Sequence, residues 1–201
     1  MNDYAKSFGY YYVTLRQAAP GRFLQSNNER AFIISQLQDL LSPRLLLNSV
    51  PAHKQLASCI DLLAFSVRDT GVDLLLFSID KSIAIECLQH LTRRLMQYQS
   101  EYGYSSFPGK HALAPLVHIQ KLIGPHQALA KSVNIHLLHD NWEFDRYSSI
   151  GFYLHDRRGD WMRTWRLAAL YEHSVEQYAA LIAHATLPPA GSGSMRLQAA
   201  A

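Results

Sequence analysis

The chain has 201 residues, 48% of them hydrophobic and 17% charged, with 19 Lys+Arg against 16 Asp+Glu and a formal net charge of +3. That length suits one domain able to bury a core without disulfide staples. It contains no run of about 18 apolar residues free of charge, which argues against a membrane span. The opening MNDYAKSFGYYY lacks the basic-then-apolar order of a secretory signal.

The two cysteines, Cys59 and Cys87, form no C-x-x-C pair. They are expected as small apolar residues in a reduced, cytoplasmic compartment. The mild positive charge permits a nucleic-acid partner without demanding one. Arg93-Arg94, Arg157-Arg158 and Arg163/Arg166 are local basic clusters, and each taken alone reads as a solvated helix face or loop.

Residues 8–16 (FGYYYVTLR) are rich in aromatic and β-branched side chains and read as a strand that turns near Pro20-Gly21. Asn27 and Asn28 are expected to cap a helix over 30–41, with Phe32, Ile33, Leu37, Leu40 and Leu41 on one face and Pro43 just beyond its end. Residues 45–58 are ambiguous. Two apolar runs, 60–67 and 72–79, flank Arg68-Asp69-Thr70-Gly71 and predict a hairpin. The second run is so continuously apolar that both its faces are expected to be buried.

Asp80 then caps a long helix over 81–102, whose apolar face carries Ile83, Cys87, Leu88, Leu91, Leu95 and Tyr98 and which Gly103 ends. Residues 113–123 form another apolar stretch, 126–133 a short helix after Gly124-Pro125, and 161–184 one or two helices. The segment from Pro188 onward, PPAGSGSMRLQAAA, has the composition of a disordered tail. The order of strand, helix, hairpin and long helix points to an α+β, ferredoxin-like antiparallel sheet with packed helices. One domain over 1–187 is expected, with a core at about 8–123 and a helical extension at about 124–187, followed by the tail at 188–201.

The residues in this order resemble the transposases associated with repetitive extragenic palindromes, a branch of the single-tyrosine HUH family. Tyr12-Val13-Thr14-Leu15-Arg16 matches the family's "HVTxR" strand. Arg22-Phe23 and Asn27-Asn28-Glu29-Arg30 follow as its helix entry. Thr70 to Leu76 (TGVDLLL) stands where the family carries "NHxHLLL", and 91–103 matches "LxxxYxxYxNxxxG". Phe107-Pro108-Gly109-Lys110 matches "WxGR". His118-Ile119 through Gly124-Pro125-His126-Gln127-Ala128 matches "YIxxNPVRAGLV". Trp142, Ser148-Ser149 and Tyr153-Leu154 match "WxxSSxxxYL", and Trp161-Met162-Arg163-Thr164 with Leu167 matches the closing pattern. The resemblance spans residues 8–185.

The resemblance implies an HUH-type fold and a specific chemistry. In that chemistry two histidines one residue apart on a strand hold a divalent cation that polarises the scissile phosphate, and a tyrosine on the next helix attacks phosphorus. In this chain the histidine positions read Gly71 and Asp73, and the tyrosine position reads Leu95, with Tyr98 three residues on. Glycine offers no ligand atom, and a lone carboxylate is a poor cation site. His118-Ile119-Gln120 and the pair His136/His139 are weak alternatives for a metal. No P-loop, G-x-S-x-G, H-E-x-x-H or paired Cys/His zinc pattern occurs. No cofactor and no metal are expected.

The function implied is a catalytically inactive, transposase-derived protein that binds structured DNA or RNA. Arg16, Arg22, Arg93, Arg94, Lys110, Lys131, Arg157 and Arg158 are the candidate phosphate contacts, and Tyr10, Tyr11 and Tyr12 are candidate stacking residues. Two alternatives stand beside it. One is a protein-interaction subunit of a larger mobile-element or defence complex. The other is a residual single-strand nuclease using Asp73 and Tyr98. If Arg93 and Arg94 touch phosphates, replacing both with Ala flattens the salt dependence of hairpin binding, by roughly one slope unit for each phosphate no longer neutralised. A filter-binding series in increasing salt measures it, and an unchanged slope removes both from the interface.

Overall fold

The computed structural model describes residues 8–17, 23–42, 58–102, 115–139 and 141–186. All but Ser58 of the ambiguous 45–58 and the expected tail from 188 lie outside these residues, as do Arg22 and Lys110. The elements run β1 (Gly9–Arg16), α1 (Asn27–Leu41), β2 (Ile60–Arg68), β3 (Gly71–Ser78), α2 (Lys81–Tyr102), β4 (Leu116–Lys121), α3 (Pro125–His136), α4 (Gly151–Leu154), α5 (Trp165–Ala168) and α6 (Val175–Thr186), with 3₁₀ turns at Trp142–Phe144 and Ala169–Tyr171. The protein is α+β, with a four-stranded sheet of order β2-β3-β1-β4 whose neighbours are all antiparallel.

Alternation along β1 sorts the two faces. Tyr11, Val13 and Leu15 are fully buried on one side, while Tyr10, Tyr12, Thr14 and Arg16 are half-buried on the other. The first face packs on α1 and α2 through Ile33, Leu37, Leu40, Cys87, Leu88, Leu91 and Leu95. The second packs on α3 and the C-terminal helices, where Leu63, Leu75 and Phe77 meet Ala128, Val133, Tyr153, Tyr178 and Ile182. Helices therefore cover both faces of the sheet. That explains why every residue of β3 is buried and why its sequence shows no polar alternation apart from one aspartate.

The local signals act as physical chemistry requires, with some shifts of position. The N-cap of α1 is Ser26 rather than Asn27 or Asn28: its hydroxyl accepts from the Glu29 backbone N–H, and the Glu29 carboxylate reaches back to the Ser26 N–H. Asp80 opens α2 by accepting from the Ser82 N–H at 2.7 Å. The hairpin turn narrows to Asp69-Thr70, with Arg68 and Gly71 inside the strands. Residues 116–121 form the edge strand β4, mostly exposed on both faces, and α3 runs three residues further than the sequence pattern reached.

The two edges of the sheet differ. The outer edge of β2 is occupied: Val67 N–H donates to Tyr147 C=O, Ser149 N–H to Phe65 C=O and Arg163 N–H to Leu62 C=O, each at 2.9 Å. The returning chain thus hydrogen-bonds the strand from outside. Among the described residues β4 has only β1 beside it.

A buried polar chain fastens the second layer. His136 is fully buried. Its Nε2 lies 2.7 Å from Ser149 Oγ and its Nδ1 2.9 Å from Tyr178 Oη. Tyr153 Oη donates to Leu63 C=O at 2.6 Å, and the Tyr153 and Tyr178 rings stack at 4.4 Å. Burial pulls the His136 pKa down to about 3, because the charged imidazolium is poorly solvated there. Its folded pKa lies below the unfolded value of 6.5. The stability it contributes is therefore complete above pH 6.5 and drains away as pH falls toward the folded value. Urea unfolding is expected to show a loss of about 2 kcal/mol between pH 7 and pH 5 from this residue, and a His136→Gln variant is expected to show a flatter profile over that range.

Candidate functional site

β3 carries a carboxylate in its middle. Val72 and Leu74 point into the first core, so Asp73 points to the second face, opposite Thr14 of β1 and Ser66 of β2. It is 0% exposed. Tyr12 Oη donates to its Oδ1 at 2.5 Å, Arg16 Nη2 to Oδ1 at 2.7 Å and Arg68 Nη2 to Oδ2 at 2.9 Å. Arg16 also donates through Nη1 to the carbonyls of Leu15 and Val72, at 3.0 and 2.9 Å. The Lys131 ammonium stands over the Tyr12 ring, 4.3 Å from its centroid.

Burial alone would raise the Asp73 pKa. The hydrogen bonds from Arg16, Tyr12 and Arg68 outweigh it and hold the carboxyl below its ordinary range. Tyr12 is pushed up to about 12, first by burial and then by its bond to the carboxylate. At neutral pH the group is thus one carboxylate and one neutral phenol among two guanidiniums and an ammonium, a net-positive cluster. The arginines are not sealed: the Arg16 side chain is 34% exposed and that of Arg68 22%. Arg68 Nε is buried without a hydrogen-bond partner. The acid orients two cations whose edges reach solvent, and both of its oxygens are engaged by these donors.

Gly71 completes the arrangement. Its φ is +156°, and a Cβ there would lie 2.4 Å from Leu15 O, 2.5 Å from Arg16 Nη1 and 2.7 Å from Arg16 Cδ. Arg16 thus lies across the space a side chain at position 71 would need.

The structure separates the other sequence-named residues. Arg16 and Lys131 meet around Tyr12, whereas Arg93 and Arg94 are exposed on α2, in the layer on the opposite side of the sheet. Arg157 lies over the Phe152 ring and donates to Arg146 C=O at 3.3 Å. Arg158 pairs with Asp156, both highly exposed. Tyr98 stacks on Phe32 of α1 at 4.1 Å, and Leu95 is core. Asp73 and Tyr98 are therefore on opposite sides of the sheet, and the pair required by the residual-nuclease alternative is not assembled. Of the three tyrosines of β1, Tyr11 is fully buried, Tyr10 packs edge-on against Phe77 and Tyr12 serves Asp73.

The histidines divide in the same way. His118 and Gln120 are exposed on the edge strand and His136 is sealed in the second core. His139 lies with Nε2 2.8 Å from Ser66 Oγ and Nδ1 2.6 Å from Asp145 Oδ2. That Ser-His-Asp order is shared with hydrolase triads, but Ser66 is 0% exposed beneath its bridge to Ser148. No substrate carbonyl reaches its hydroxyl, and the trio fastens His139 and Asp145 to β2. Among the described residues no three His, Cys, Asp or Glu side chains gather as a metal-ligand set, and no helix is long and apolar enough to cross a membrane.

Sequence reasoning missed Arg68 as a partner of Asp73. The signal was present in register: a two-residue link, Asp69-Thr70, sets Arg68 opposite Gly71, and residues 66, 68, 71 and 73 share one face. No family model matches the chain, nor does any curated protein or solved structure.

Two substitutions test the cluster. Gly71→His is expected to destabilise the fold by roughly 1–3 kcal/mol, since it strains the backbone and evicts Arg16. Asp73→Ala leaves two partly buried guanidiniums uncompensated and is expected to cost about 3–5 kcal/mol. The Asp73 pKa is lowered on folding, so its contribution is complete above the unfolded value of 3.8 and is lost as pH falls through the folded one. Chemical denaturation at pH 7 and pH 3 is therefore expected to show a smaller gap between wild type and the Asp73 variant at the lower pH.

Proposed function

We propose that this protein is a catalytically inactive binder of structured nucleic acid, built on a ferredoxin-like HUH-type scaffold. The observation that carries the reading is the Asp73 cluster. Where the resembled transposases hold a cation with two histidines, this chain has Gly71 and Asp73, with Arg16 across the first position and Arg16, Tyr12 and Arg68 closed on the second. Guanidinium charge stands where metal charge would. Such a group cannot activate a phosphate for attack by Tyr98 on the far side of the sheet, but it can hold one.

The chain order β-α-β-β-α-β and the strand order β2-β3-β1-β4 fit the split β-α-β arrangement of ferredoxin-like sandwiches. Arg16, Arg68 and Lys131 are the contacts favoured for phosphate. Contacts of this type supply affinity without sequence information, so a DNA or RNA hairpin read by shape suits the surface.

A second reading, as an interaction subunit, is favoured by β4. Leu116 in β4 and Ile123 just beyond it are 61% and 97% exposed; among the described residues β4 has a partner on one side only, and an edge strand can add a partner's strand. Gel filtration and co-purification from native cells separate the two: a stoichiometric protein companion with no nucleic acid favours the subunit.

For the leading reading, Arg68→Gln and Lys131→Gln, checked by circular dichroism to be folded at the assay temperature, are each expected to weaken hairpin binding and lower the slope of log affinity against log salt by about 1. Slopes unchanged in both variants but reduced in the Arg93→Ala/Arg94→Ala double variant would move the interface to the outer face of α2. Slopes unchanged in all of them, or no binding, would sink the proposal.

A further inference from the structure

One residue along β2 from Arg68, the Val67 N–H bonds the Tyr147 carbonyl, and Tyr147 lines a pocket of about 540 Å³ together with Arg30 of α1, His139 and residues of the 141–146 segment. Arg30 of α1 and Arg146 both stand against the Tyr147 ring, with guanidinium carbons 5.4 and 4.8 Å from its centroid. Arg146 is further fixed by donating to Tyr147 Oη at 2.7 Å. Arg30 Nε is buried and has no hydrogen-bond partner, an unmet donor beside the cavity.

The pocket holds one carboxylate, Asp145. Its Oδ1 accepts from the Tyr147 N–H at 2.8 Å, and its Oδ2 lies 2.6 Å from His139 Nδ1 but is buried without a hydrogen bond. Arg30 and Arg146 together outweigh that single carboxylate, so the surplus charge of the lining is positive. At its rim Phe144 is 78% exposed, and its ring is backed by His155, stacked at 5.3 Å and 13°. His155 Nε2 in turn lies 2.8 Å from the Glu143 carbonyl oxygen. Phe144 thus has one face supported and the other toward solvent.

We infer that this pocket binds one nucleotide unit, with its phosphate held by Arg30 and Arg146 and its base stacked on the open face of Phe144. Two planar cation forks suit phosphate oxygens, and a buttressed aromatic ring accepts any base without reading its edge. The inference deepens the nucleic-acid reading and rests on it: it adds a site for an unpaired base at the edge of β2 beside the Asp73 cluster.

The test is calorimetric titration of the full chain with adenosine 5′-monophosphate and, separately, with a DNA hairpin, using wild type, Phe144→Ala and Arg146→Gln. Both replaced side chains are exposed, so the variants are expected to fold, and far-UV circular dichroism verifies it. Binding of the mononucleotide, weakened by about tenfold or more in each variant, is the expected result. Mononucleotide binding of equal strength in wild type and both variants overturns the inference. So does a wild-type protein that ignores the mononucleotide while binding the hairpin as well as both variants do, and that outcome leaves the nucleic-acid reading intact. Mononucleotide binding lost in the variants, together with no hairpin binding by any protein, upholds the pocket and removes the nucleic-acid reading instead. If wild type binds neither, both fall.

Discussion

A carboxylate buried in the middle of a central strand sets the terms for its neighbourhood. Leaving water costs a charge several kcal/mol unless it is paired and hydrogen-bonded. Asp73 meets that cost with two arginines and a tyrosine drawn from three places in the chain: the end of β1, the end of β2 and the face of β1 that looks toward α3. The requirement fixes the rotamer of Arg16, which then forbids a side chain at Gly71. It also fixes Tyr12, whose ring underlies Lys131 on α3. One charge in the sheet thereby organises the polar part of the second face, and the apolar contacts of Leu75, Phe77 and Val133 supply the rest.

Much of the scaffold was legible in the chain because it is local. The limits of α2, the existence of the hairpin and the two-sided burial of β3 each follow from patterns within a single segment. The N-cap of α1 moved by one residue because Ser26 and Glu29 form a reciprocal pair that the neighbouring asparagines cannot match. Strand β4 was read only as an apolar stretch: it lies at the sheet edge with both faces partly wet, so burial imposes no clean period on its sequence.

The site was less legible, since its contacts join distant positions. Asp73 and Tyr12 are 61 residues apart, and Ser66 and His139 are 73 apart. The motif positions Gly71 and Asp73 could be named from order along the chain, but what surrounds them could not. Clusters of adjacent arginines drew the eye in sequence, yet Arg93-Arg94 and Arg157-Arg158 remain on separate surfaces. Isolated arginines such as Arg30, Arg68 and Arg146 turn out to be the ones set against a buried carboxylate or a pocket-lining ring. A charge becomes part of a site when something orients it, and orientation is a tertiary property.

The polar chain through His136 has a further consequence, for how the molecule is made. The second face of the sheet offers Leu63, Ala64, Leu75 and Phe77 early in the chain, but Tyr178 and Ile182, which close over it, come roughly a hundred residues after the hairpin. During synthesis the sheet and its first helical layer can form while the other face is still bare. A ribosome-bound intermediate would therefore carry an apolar surface for the several seconds needed to reach residue 182, at roughly 5–20 residues per second. That is an interval in which a chaperone, or a second nascent chain, competes with the protein's own C-terminal helices.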